Sequence, residues 1–266
     1  MNKKLFLSCL VVISLVGCSE KSSDKTLSTA ANSQPRLEDG AYLLNSAVVT
    51  IEGIPTDVSR DQLKIYSQQR FAYAFYNHST GKVDAGAGKA VWNDGVLTEI
   101  PLVNHAQDLS GLSFNLDIRP NEDGGFSQAI KNMRSEDGVL YDLEETWAQQ
   151  SKLSTPFDGL WKLFARVVDG TPIENDFAET KMIGGGHFIW FHRYFSKSTP
   201  VMHFGYGELS ADMNNRLATI ENTSQSSYPN AAGQSKALQL SLVDKDTLQQ
   251  SFTENGAVYI YTYHRM

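Results

Sequence analysis

The sequence predicts an all-β protein made of two tandem antiparallel β-barrels, with two-sheet sandwiches as the alternative. Three observations lead there. The chain carries an internal duplication, its body alternates apolar and polar residues at period two, and glycine-centred turn signals recur between the alternating runs. The duplication is read from five matches in the same order, at offsets of 117 to 119. Gly40-Ala41-Tyr42-Leu43-Leu44 answers to Gly159-Leu160-Trp161-Lys162-Leu163, and Glu52-Gly53-Ile54-Pro55 to Asp169-Gly170-Thr171-Pro172. Arg70 to Phe75 answers to His187 to His192, and Gly86-Ala87-Gly88 to Gly205-Tyr206-Gly207. Asp137 to Tyr141 answers to Asn255 to Tyr259. A period this long marks a repeated domain rather than a solenoid unit.

The chain begins with Lys3 and Lys4, then an apolar run from Leu5 to Val16, then Leu15-Val16-Gly17-Cys18. The run is too short for a comfortable bilayer span and has the flanks of a signal peptide. The ending resembles a bacterial lipobox. It implies cleavage before Cys18 and acylation of that cysteine, palmitate included, hence a lipid anchor in the bacterial envelope. Ser19 rather than Asp after the cysteine points to the outer membrane. Residues 19–36 are small and polar and read as a tether with a reach of roughly 23 Å. The remaining cysteine, Cys9, lies within the leader, so no disulfide framework or cysteine-based metal site is expected.

Removal of Lys3 and Lys4 with the leader takes the formal net charge from −7 to −9. With no dense Lys/Arg run in the body, nucleic acid is not an expected partner.

Residues 37–148 form the first expected barrel, 149–156 a polar linker ending at Pro156, and 157–266 the second barrel. Strand signals include Phe71, Tyr73 and Phe75, matched by Phe188, Trp190 and His192. Others are Val139, Tyr141 and Leu143, and Ala257, Tyr259, Tyr261 and Tyr263. Short helical turns are expected at Val58–Leu63 and Pro172–Phe177. About eight strands per copy would close a barrel able to hold one small ligand.

The second copy is similar to a bacterial lipocalin-like family, largely uncharacterised. The likeness is carried by Gly159-Leu160-Trp161, by Met182 through His192, by Gly205-Tyr206-Gly207 and by Tyr259 through Arg265. It implies a calycin-type barrel and an apolar ligand, and transfers no catalytic residue. It also implies that Trp161 packs at the closed end beneath Arg265, a cation–π arrangement. In the first copy Tyr42 replaces the tryptophan, and Trp147 is expected where Arg265 would stand.

Candidate chemistry is sparse. His187 and His192 are five apart and face opposite sides of one strand. No His-x-x-x-His, nucleophile elbow or P-loop occurs, and no metal or cofactor is expected. His192, standing where the first copy has Phe75, would place a titratable group among apolar side chains. Glu144 and Glu145 point to opposite faces. The expected function is non-catalytic binding of a small apolar or amphipathic molecule, mainly by the second barrel. Its expected lining is Phe188, Trp190 and His192, with Tyr206, Tyr259 and Tyr261. The first barrel is expected to be filled. Two alternatives stay open: a protein-interaction module with filled barrels, and a small-barrel isomerase or cyclase on a lipid-like substrate.

Overall fold

The computed structural model describes residues 36–77, 81–93, 95–105, 109, 111–135, 138–174, 176–194, 201–211 and 219–266. The expected leader, Cys18 and all of the expected tether except Arg36 lie outside the described residues.

Two closed antiparallel barrels follow one another. The first holds β1 (Gly40–Ile51), β2 (Ile54–Val58), β3 (Gln62–Ser67), β4 (Arg70–Asn77), β5 (Lys82–Asn93), β6 (Val96–Asn104), β7 (Phe114–Pro120), β8 (Phe126–Arg134) and β9 (Leu140–Ser151). The second holds β10 (Gly159–Val168), β11 (Thr171–Ile173), β12 (Phe177–Gly184), β13 (His187–Tyr194), β14 (Val201–Ala211), β15 (Thr219–Ser226), β16 (Ser235–Asp244), β17 (Thr247–Glu254) and β18 (Ala257–Arg265). Pairing of β1 with β9, and of β10 with β18, closes each sheet, so each of the eight main strands pairs with a neighbour on both sides over at least part of its length.

Among the described residues, neither expected helical turn is helical. Glu52-Gly53 and Asp169-Gly170 adopt positive φ and reverse the chain, so that β2 and β11 return along β1 and β10. Val58 ends β2, Gln62 starts β3, Pro172 lies within β11 and Phe177 opens β12. The polar stretch read as a linker begins later than expected, because Gln149, Gln150 and Ser151 continue β9.

The ladders also correct the register of the duplication. Leu44 stands opposite Trp147, and the matching Leu163 stands opposite Tyr263. The last strands therefore correspond at an offset of 116, not 118. Trp147 is the counterpart of Tyr263, both buried. Gln149, which faces Tyr42 in the ladder and donates to its hydroxyl at 3.4 Å, takes the place of Arg265. In the second barrel the Arg265 guanidinium lies 4.1 Å from the Trp161 ring centre, and the indole N–H donates to the Phe157 carbonyl. In the first, Tyr42, Phe126 and Trp147 close the end by edge-on and stacked ring contacts.

The barrels are not independent beads. Alternation sends Phe71 and Tyr73 into the first barrel, while Ala72 and Ala74 point outward, as do Ala85 and Ala87 on β5. On the second barrel Phe188 and Trp190 point in, and Ile189, Phe191, Phe204 and Tyr206 point out. These outer faces pack on each other and form one buried cluster with Leu63, Ile65 and Met182. Small residues on one copy meet large ones on the other: Ala72 and Ala74 correspond to Ile189 and Phe191, Ala85 and Ala87 to Phe204 and Tyr206. Volume is conserved by that asymmetry.

The contact is reciprocal. The β3–β4 turn of the first barrel reaches the end of the second, where Arg265 donates to Gln68 Oε1 at 2.8 Å and Arg70 to the Met266 carbonyl at 2.9 Å. The β12–β13 turn of the second barrel reaches the start of the first. A Cβ on Gly185 would stand 2.3 Å from the Ala41 nitrogen, so that turn tolerates no side chain there. Each copy presents the same patch to the other, the arrangement of an isologous dimer within one chain.

Ala74 is fully buried at this seam, so Ala74→Glu would bury an unpaired carboxylate. It is expected to cost about 3 kcal/mol or more in denaturant unfolding and to speed proteolysis in the 152–158 connection. The β3–β4 turn holds Gln68 and Gln69 at φ of 51° and 60°, where the second barrel uses Gly185 and Gly186. Gln69→Gly is therefore expected to raise stability by about 0.5–1 kcal/mol, measured by the same titration.

Candidate functional site

The interior of each barrel holds a buried ammonium on the strand after the opening hairpin. Lys64 on β3 and Lys181 on β12 occupy matching positions, both almost inaccessible to solvent. Lys64 lies 2.8 Å from Glu99 and 3.3 Å from Gln128. Lys181 lies 2.7 Å from Glu221 and 2.5 Å from Gln250. By ladder register Glu99 corresponds to Glu221, and Gln128 to Gln250. The duplication thus retains a lysine, a glutamate and a glutamine across three strands in both copies. A buried ammonium needs its charge and its donors satisfied, and these partners do that.

Above this layer the barrels diverge. In the second, Glu179 sits where the first has Gln62. Its carboxylate accepts from Tyr263 at 2.9 Å and lies 3.1 Å from His192 Nε2. Burial raises the Glu179 carboxyl, but His192, Lys181 and the Tyr263 hydroxyl outweigh it and bring it down to about 2. His192 Nδ1 lies 3.0 Å from the Tyr228 hydroxyl, which bonds Tyr194 at 2.7 Å. Tyr228, in the β15–β16 connection, stacks on His203 at 4.3 Å and also contacts the rings of Trp190 and His192.

The predicted ligand-lining residues are distributed as follows. Phe188 is fully buried in the closed-end core with Trp161. Trp190 and His192 do face the interior, stacked at 4.7 Å, and Gly205 makes room for the indole across the ladder. Tyr259 and Tyr261 pack around Phe252. Tyr206 is a correction: it points out of the barrel into the seam with the first copy, because Gly205 and Gly207 take the inward positions on β14. His187 likewise borders the seam, its Nδ1 2.8 Å from the Gly185 carbonyl.

An interior cavity of about 110 Å³ lies in the first barrel, which corrects the expectation of a filled one. Its polar wall comes from β3, β5 and β6: Gln62, Lys64, Asp84, Glu99 and Asn104, with Arg60 before β3. β7 to β9 contribute apolar Phe114, Ile130, Met133 and Leu143, together with polar Gln128 and Glu145. Tyr73 stands where the second barrel has the larger Trp190, which leaves part of the space. Glu145 faces this cavity while Glu144 faces solvent.

Every formal charge on the cavity wall has a partner. Arg60 pairs with Glu145, Lys64 with Glu99, and Asp84 lies 2.9 Å from His105 Nδ1. Burial raises the Asp84 carboxyl, but His105, Arg60 and Tyr73 prevail and lower it. Among the buried polar atoms of the described residues that have no hydrogen-bond partner, Gln62 Oε1, Asn104 Oδ1 and Arg60 Nε belong to residues of this wall. Gln62 and Asn104 are more than nine-tenths buried. Unsatisfied groups of this kind are rare in native interiors and mark a place where a bound molecule would complete the bonding.

The sequence reading missed Lys64 and Lys181. The available signal was a lysine on the inward face of an apolar strand, repeated at offset 117. Because Glu179 is held below its ordinary value, its ionised form stabilises the fold above about pH 4.5, and this contribution is lost as pH falls toward 2. Glu179→Gln is expected to be about 3 kcal/mol less stable than the native chain near neutral pH. Its deficit should shrink on acidification, as read by denaturant titration across pH.

No known family profile matches the chain, and no curated protein matches it. Among solved structures, it is similar to an uncharacterized protein, YLR301w, from Saccharomyces cerevisiae, at 13% identity and a TM-score of 0.44, covering 84% of this chain and 99% of that one. It is also similar to a protein of unknown function from the DUF3598 family of Nostoc punctiforme, at 12% identity and a TM-score of 0.25, covering 85% and 96%. With scores below 0.5, neither likeness bears on function.

Proposed function

We propose that this protein is a non-catalytic binder of a small amphipathic molecule, held inside the first barrel. The observation that carries this reading is the cavity of about 110 Å³ with polar atoms left unpartnered on one wall and apolar side chains on the other. A pocket of mainly apolar surface with a few convergent polar groups is the usual form of a small-molecule site. The second barrel, with His192 tied to Glu179 and Tyr228, acts as a packed support for the first. This moves the binding role from the second copy, where residue chemistry had placed it, to the first. The lipobox at Cys18 and the polar tether suit an envelope lipoprotein held by an acylated cysteine at the outer membrane.

Native mass spectrometry of the purified protein, followed by solvent extraction, tests the reading. The expected result is a stoichiometric small molecule retained by the native chain and lost from folded variants that fill the first cavity, such as Gly86→Phe. Retention of the same molecule after the cavity is filled would place binding elsewhere and overturn the assignment.

A further inference from the structure

We propose that the ligand has a neutral hydrogen-bonding head and an apolar tail, and that the tail leaves the first barrel sideways, between β7 and β8. This rests on the binding reading above and names the ligand class and its route.

The head follows from the charge pairing. Arg60 and Lys64 already have their counter-charges and Asp84 lies 2.9 Å from His105 Nδ1, so an ionised head would stand buried without a partner of its own. What lacks a partner is neutral or directional: the Gln62 and Asn104 side-chain oxygens and the Arg60 Nε–H. A hydroxyl both donates and accepts and fits that set; a carboxylate cannot donate to Gln62 or Asn104.

The tail follows from the seam. β7 divides its pairing: Phe114–Leu116 bonds β6, and only Asp117–Pro120 bonds β8. On β8, Ile130 and Met133 pair with β9 and have no partner on β7. A bulge between Ile130 and Met133, with Asn132 at φ 57°, bends the strand there. Outside this gap runs a groove of about 570 Å³. Leu112, Phe114, Ile130 and Met133 line both the groove and the inner cavity. An apolar lip thus joins the two spaces.

The second barrel supplies the contrast. Its β16 and β17 divide their pairing in the same way, but β17 pairs with β18 without a bulge. Lys236, the counterpart of Phe114, lays its ammonium 3.5 Å from the centre of Phe252, the counterpart of Ile130. The same seam is covered by a cation there and bordered by apolar side chains here.

The cavity holds about four water-sized groups, so a head and roughly three carbons fill it and a longer chain must emerge. The test is binding of n-alkanols from butanol to dodecanol to the full protein, by calorimetry, beside the matching n-alkanoates. Affinity is expected to rise about fourfold per methylene beyond butanol, with alkanoates at least tenfold weaker. Ala129→Trp, on the outer face of β8 in the groove, is expected to stop the rise while leaving butanol unchanged. Asn115→Trp, exposed on β7, does the same should the first variant fold poorly. A rise that survives both folded variants, or a plateau at butanol in the native chain, overturns the lateral route. Alkanoates binding as tightly as alkanols overturn the neutral head. If butanol does not bind at all, the binding assignment itself fails.

Discussion

The interior of each barrel is organised around one buried ammonium. Lys64 and Lys181 each lie within a ring of β-strands with almost no access to water, where an unpaired charge would cost several kcal/mol. The glutamate and glutamine that satisfy them come from two other strands, so the polar cluster ties three parts of the barrel wall together. Below it the interior is aromatic and filled. Above it the two copies are free to differ, and they do. The first keeps Tyr73 and Phe75 and a cavity; the second puts Trp190, His192 and Tyr228 into the same region and ties them by hydrogen bonds.

Much of the fold was legible in the residues, for identifiable reasons. The matched windows Glu52-Gly53 and Asp169-Gly170 both reverse the chain, and bulges lie beside Gly88 and Gly207 in another matched pair. Trp161 and Arg265 meet as the family resemblance implied. The short strands β2 and β11 were misread as helical turns because local polarity around Arg60 and Asn175 carries no period, while their pairing with β1 and β10 is set by tertiary context. The last strand was misaligned by two residues because the copies differ in length between β8 and β9, which no local pattern reports.

The site was less legible. Lys64 could have been noticed with Lys181, but the matching glutamates and glutamines lie at offset 122, displaced by unequal loops from the aligned windows. Tyr206 was placed on the inner face, whereas Gly205 and Gly207 on either side of it occupy the inward positions. A strand such as Phe71 to Phe75, apolar at every position, signals burial on both faces. That second buried face is the seam between the barrels.

That seam has a genetic consequence. In a dimer of identical subunits, any substitution at the contact appears twice, once on each side of the axis, so a position small in one copy is small in the other. Here Ala72, Ala74, Ala85 and Ala87 lie on one copy, and Ile189, Phe191, Phe204 and Tyr206 on the other. Joining the copies in one reading frame releases them from symmetry. One half can specialise as a receptor while the other hardens into its scaffold, and neither can be lost by dilution.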